Sequence, residues 1–328
     1  MRIDPAMAAL RDDPSPVVAQ SRAAGEALDA WRAGAATRAV LDALDAYGAG
    51  RPLAGCTALN AAMEPESARH FVSGVMAALV GAMRSGPLGQ PRLVSSSVGA
   101  IHRLTLAASG RAVLSLALVD GDALAQGLSR ISPRVVFQPG ETCLTILSGR
   151  GRGRIARLGA GDLHLRRVAF LPVALNSGKR LLLDAGCEAL DLLGVDGSLV
   201  SLRLHRRAEE IQPIREYDLE TGSLVHQSAG EPRESRLALA AALLGRMKRR
   251  DALPALGALV RGTGSAELRW QALREALALD TAQGFALLRE IAVRCDDPLA
   301  SAAVRLSQDL CARHPQLAAL AGDALCPA

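Results

Sequence analysis

Apolar positions recur along this chain with two different periods. Between residues 14 and 48, Leu28, Trp31, Val40, Leu41, Leu44 and Tyr47 return at helical spacing, with Asp29, Arg32 and Asp42 between them. Gly48, Gly50 and Pro52 close that pattern. A second helix is expected from Glu64-Pro65-Glu66, where proline suits the first turn and acids favour the positive end of the helix dipole. Phe71, Val75, Leu79 and Met83 then share one face, and Ser85-Gly86-Pro87 ends the helix.

From residue 98 onward the period becomes two. His102, Leu104 and Leu106 alternate with Ile101, Arg103 and Thr105, so an inward-pointing His102 is one reading of the pattern. Leu114, Leu116 and Leu118 share a face, and Ser109-Gly110 between the two runs predicts a hairpin. Residues 121–130 read as a short helix or loop. Short strands follow, punctuated by Gly and Pro: PRVVFQ, ETCLTIL, GRIARL, DLHLRRVAF, KRLLLD, EALDLLGV and SLVSLRLHR. Within the last, His205 shares a face with Arg203, which predicts solvent. Glu220-Thr221-Gly222 marks the turn of a final hairpin. Such a series favours an antiparallel sandwich or barrel over a parallel sheet.

Residues 235 to 325 return to helical spacing, with Asp280-Thr281 and Asp296-Asp297-Pro298 as expected N-caps. The pair DALPALGALV and AELRWQALREAL is echoed by GFALLREIAV and DPLASAAVRLSQDL. The fold class expected is therefore α+β and multidomain. A helical N-terminal segment spans residues 1–90, an antiparallel β domain 91–230, and an all-α domain 231–328.

Two resemblances sharpen that expectation. The segment ETCLTILSGRGRGRIARLGAGDLHL resembles the middle of a cupin-type jelly roll, Gly149 matching one glycine turn and Gly159, Gly161 and Asp162 a later G-x-G-D turn. The likeness covers residues 95–207. Metal-dependent cupins carry H-x-H, a glutamate and a later histidine, and this chain has none of that pattern, which implies loss of the family's metal site. Arg269-Trp270-Gln271-Ala272-Leu273, Asp280, Leu287-Leu288 and Asp296-Asp297-Pro298 are similar to HEAT-type helical repeats, whose units bury their apolar faces only by stacking.

Composition limits the chemistry. Aromatics are 2% of the chain, so the core must come from Leu, Val and Ala. Net charge is +5, and lysine occurs only at positions 179 and 248. The positive excess is spread along the chain and lacks interleaved aromatics, so a nucleic-acid partner is not expected. Six cysteines include no C-x-x-C. With no apolar leader and no run long enough to span a membrane, the expectation is a cytoplasmic protein with reduced thiols.

Candidate site residues are few. Arg150, Arg152 and Arg154 alternate with glycines and read as an arginine-decorated hairpin turn, or as a rim binding anions or a partner. No Walker loop and no G-x-S-x-G is present, and Glu209-Glu210 read as a solvated connection rather than a glycosidase pair. An unusual metal site could be assembled from His102, His164 and His226 with Glu141 or Glu188. Two functions follow. The first is a non-catalytic accessory or regulatory protein, without a cofactor, binding a protein or peptide partner through its β domain and helical repeats, and open to homo-oligomerisation. The alternative is a cupin-like enzyme using a divalent metal ion.

Overall fold

In a computed structural model, residues 13–127, 134–161, 165–210, 212–228 and 230–319 are described. The chain is α+β: helices, then antiparallel strands, then helices. Contacts divide it into two compact units, one running to Glu210 and adding Arg215–His226, the other comprising 211–214 and everything from Gln227. Among the described residues no helix is long and apolar enough to cross a membrane.

The first unit opens with α1 (Ser15–Ala33), α2 (Ala35–Gly48), α3 (Thr57–Ala62) and α4 (Pro65–Ser85). The apolar pattern over 14–48 is thus two helices, parted at Gly34. Strands β1 (Ser95–Val98), β2 (Ile101–Ser109) and β3 (Ala112–Asp120) follow, then a short α5 (Gly121–Ala125). Residues 128–130 of the expected helix or loop lie outside the described residues. Next come β4 (Arg134–Phe137), β5 (Gly140–Leu158), β6 (Val168–Asn176), β7 (Arg180–Asp184), β8 (Glu188–Arg207), β9 (Ile214–Asp218) and β10 (Leu224–Ser228). A seven-stranded sheet runs β1-β2-β3-β8-β5-β6, with β7 also on β5, and a three-stranded sheet runs β10-β9-β4. The strand pairs are antiparallel where their register is given, from β1-β2 through β5-β8.

The central strands are buried on both faces. Because side chains alternate, Leu114, Cys143, Leu147, Leu202 and Leu204 pack into one core with Leu28, Leu44, Leu59 and Val75 of the helices. Val119, Leu144, Ile146 and Leu199 fill a second core on the other face. Two-sided burial explains why these strands read as near-continuous apolar runs. Polar contacts fix the helices to the sheet. Thr145 Oγ1 donates to the Met63 carbonyl at 2.6 Å. Arg206 lies 4.2 Å over the Tyr47 ring and donates to Glu141 Oε2 at 2.9 Å. Tyr47 Oη donates to the same carboxylate oxygen at 3.1 Å, and burial raises the phenol pKa.

The most consequential difference from the sequence reading is at Gly149. No turn forms there: β5 is one strand of 19 residues, paired with a β8 of 20 residues. Register slips on either side of Ser148, so that Ile146 faces Ser201 but Arg150 faces Asp196. Such a bulge bends a strand without ending it. Gly149 takes φ +92° and Gly197 of β8 takes φ +68°. A Cβ on Gly149 would lie 2.1 Å from the Ser198 carbonyl oxygen, so only glycine fits. The final hairpin does form, its turn closed by Asp218, which accepts from the Glu220 and Thr221 amides at 3.0 and 2.8 Å.

The second unit contains α6 (Pro232–Arg246), α7 (Leu253–Arg261), α8 (Ala266–Leu279), α9 (Thr281–Ala292), α10 (Ala300–Arg313) and α11 (Gln316–Ala319). Helices α7 to α10 pack in sequence order, and α6 packs on α8. Their core holds Leu256, Val260, Leu273, Phe285, Leu288 and Ile291. Asp280 caps α9 as expected, accepting from the Gln283 amide at 3.0 Å. Asp296-Asp297-Pro298 does not cap a helix, since α10 begins after Leu299 without a side-chain cap. Asp297 is instead a buried partner of Arg269, with Nη1 and Oδ1 3.1 Å apart and Nη2 donating to Oδ2. Arg269 Nε also donates to the Val260 carbonyl at 2.8 Å.

Candidate functional site

The sheet face turned away from the N-terminal helices borders a cavity of about 370 Å³. Ile101, Arg103, Ala117, Leu144, Leu199 and Arg203 line it from strands β2, β3, β5 and β8. Both halves of β8 contribute, Glu188–Leu192 and Leu199–Arg203, which the bend around Gly149 and Gly197 permits. Such a volume lies at the lower end of the ~300–1,000 Å³ typical of small-molecule pockets.

Its walls are aliphatic apart from a polar stripe. Arg203 faces Ser115 across the β3-β8 ladder, and Arg103 faces Ala117, itself paired with Ser201. Two guanidinium groups therefore share one cavity. Burial lowers the Arg203 pKa to about 10, helped by the positive charge of Arg103. The group stays protonated at neutral pH. Among the described residues neither guanidinium has a carboxylate partner. Glu188, the acid in the lining, is held by Arg157 Nε at 2.8 Å.

Beside the stripe, His205 Nδ1 and Thr142 Oγ1 lie 2.9 Å apart. His205 is 4% exposed and its Nε2 has no partner among the described residues. Burial pushes its pKa down to about 4, and the charges of Arg203, Arg207 and Arg103 act the same way. A hydroxyl on an imidazole has the form of a nucleophile and base. With its pKa pushed down to about 4, the ring is neutral at neutral pH.

The residues singled out from sequence are dispersed. Arg150, Arg152 and Arg154 lie along β5 rather than on a turn, their side chains alternating with buried Gly151 and Gly153. Arg154 is engaged, with Nε donating to Asp191 Oδ2 at 2.8 Å and its guanidinium 3.9 Å over the Phe170 ring. Arg150 and Arg152 are exposed. His102 is exposed rather than inward, its Nδ1 2.9 Å from Ser97 Oγ. His226 is exposed on β10. His164 and Asp162 lie outside the described residues. Among the described residues no three His, Cys, Asp or Glu side chains are placed to hold a metal ion, so they do not fit the metal centre of a cupin.

Arg103, Arg203, Thr142 and His205 went unnoticed as a set. Period two does put Arg203 and His205 on one face, as the sequence reading had it. That face is not solvent throughout: Arg203 lines the cavity, and His205 is buried.

No family model matches the chain, and no curated protein matches it. Solved structures with some likeness include a cupin superfamily protein from Desulfitobacterium hafniense, at 15% identity and TM-score 0.22, covering 35% of this chain and 84% of that one. The CENP-C cupin domain of Drosophila melanogaster matches at 14% identity and TM-score 0.25, over 35% and 75%. A hydroquinone 1,2-dioxygenase in complex with cadmium and 4-hydroxybenzonitrile matches at 15% identity and TM-score 0.24, over 32% of this chain and 63% of that one, less than two thirds of its length. Likenesses this slight carry no argument about chemistry, and the β architecture described above rests on the strand topology itself.

Proposed function

We propose that the chain is a non-catalytic accessory or regulatory protein that binds a protein or peptide partner through its β domain, with the stacked C-terminal helices as a second contact surface. The observation that carries this reading is the β-domain cavity, whose lining joins aliphatic walls to two cations. That combination suits binding, because it supplies apolar contact area and a fixed charge for orientation. On the helical unit, Leu239 and Leu243 of α6 stand 71% and 55% exposed one turn apart, an apolar edge of the kind protein contacts cover.

Site-specific photo-crosslinking tests the reading. Val136 borders the cavity and is exposed, so a photoreactive side chain there leaves the fold undisturbed. The crosslinked partner, once identified and purified, is expected to bind the wild-type chain and to lose affinity for Ser201→Trp, in which the indole fills the cavity. Equal binding to both forms would place the contact elsewhere and refute the proposal.

A further inference from the structure

We infer that the β-domain cavity recognises a carboxylate, held between Arg203 and Arg103, on a ligand whose short apolar body lies against Leu144, Ile146 and Leu199. The inference deepens the proposed function and rests on its reading of the cavity as the binding site. Its foundation is an imbalance of charge. A guanidinium taken out of water and left unpaired is costly, and folded proteins keep such groups where a ligand completes them. Arg203 sits in the wall of the cavity, Arg103 repels it from the same side, and the lining acid Glu188 is already committed to Arg157. An incoming anion would relieve the repulsion and supply the missing partner.

The neighbouring groups favour a carboxylate over a phosphate. Arginine forks match both. Phosphate sites, however, draw on backbone N–H groups at helix N-termini or in glycine nests. Here the lining residues of β2, β3, β5 and β8 lie in paired ladders, and the lining includes no glycine. Beyond the arginines the wall includes Leu144, Ile146, Leu199 and Val119, with the hydroxyls of Thr142 and Ser201 and the amide of Gln138. A planar anionic head on a short aliphatic or peptide body matches that surface. Two sources share this chemistry: a free organic acid, and the carboxylate of a peptide.

The test is a calorimetric titration of the full chain with hexanoate, hexanamide and hexyl phosphate, and with one acetylated leucine-ended hexapeptide as free acid and as amide. At least one of hexanoate and the free-acid peptide is expected to bind, about tenfold or more tighter than its own amide. Arg203→Gln should weaken the binding carboxylate by a similar factor and leave its amide unchanged. Arg103→Gln, at an exposed position that tolerates the change, should act in the same direction, and Arg150→Gln should do nothing. Circular dichroism and melting midpoints confirm that each variant is folded. Tighter binding of the peptide acid assigns the source to a peptide, and tighter binding of hexanoate assigns it to a small acid. Amides binding as well as acids would overturn the carboxylate inference while leaving a binding cavity in place. Hexyl phosphate binding more tightly than either carboxylate would overturn the inference. Unchanged affinity in both arginine variants, or no binding by either carboxylate, would do the same.

Discussion

Acidification should destabilise the β-domain unit through His205. In the folded chain this imidazole is buried, and its pKa falls from 6.5 to about 4. Because the folded value lies below the unfolded one, protons bind the unfolded chain more readily. Above pH 6.5 both states carry a neutral ring and the cost is nil. As the pH drops from 6.5 towards 4 the unfolded chain is protonated first, and stability is lost over that window. The fall amounts to roughly 3 kcal/mol at 1.36 kcal/mol per pH unit, complete once the folded ring also titrates. Carboxylates titrate over the same range, so the informative quantity is a difference between two proteins. His205→Asn keeps a polar amide near Thr142 Oγ1 and removes the titration. Urea unfolding of both proteins, in a Trp270→Phe background, lets Trp31 report on the unit that contains it, where it packs 5.2 Å from Phe71. The stability advantage of wild type over variant should shrink by roughly 3 kcal/mol between about pH 7.5 and about pH 4. A difference constant to within about 0.5 kcal/mol, the error of the extrapolation, would refute a neutral buried ring.

Two substitutions probe the rest of the architecture. Gly149→Ala should cost roughly 1–3 kcal/mol in chemical denaturation, because the new Cβ meets the Ser198 carbonyl and the backbone is left-handed there; unchanged stability would mean that β5 does not pass Gly149 as one bent strand. Arg269→Ala should cost about 3–5 kcal/mol by leaving Asp297 buried and unpaired, whereas Arg269→Met with Asp297→Leu should be nearly neutral, both read from thermal melts followed by Trp270 fluorescence.

What could be read from sequence was whatever local geometry decides. The hairpin turn at Glu220-Thr221-Gly222 was legible because Asp218, three residues or fewer away, closes it. Helix ends at Gly48 and Ser85, and the cap at Asp280, are local for the same reason. Gly149 was not legible. A glycine between two β runs is a turn if the chain reverses and a bulge if the partner strand continues, and only the length of β8, some fifty residues later, decides which. A separation of 28 residues hid the ion pair of Asp297 in the same way. Its aspartate was visible as a helix-start signal, but its use depends on Arg269 from another helix.

The arginines show why the site was harder to find than the fold. Arg150, Arg152 and Arg154 stand out in the sequence because they alternate with glycines on a segment that reads as a turn. The strength of a charge depends more on its surroundings than on its neighbours in the chain. Arg154 is already matched by Asp191 and covered by Phe170, while Arg150 and Arg152 stand in water, where an ion pair gains only ~0–1 kcal/mol. Arg103 and Arg203 lie a hundred residues apart and look ordinary in sequence. The fold draws them to one cavity, withdraws Arg203 from solvent and commits the nearby acid to another partner. Coulomb energy rises as the effective dielectric falls, so an anion entering there gains far more than one meeting the exposed run. The proposed carboxylate site is accordingly placed at Arg103 and Arg203, which border one cavity, rather than at the conspicuous run on β5.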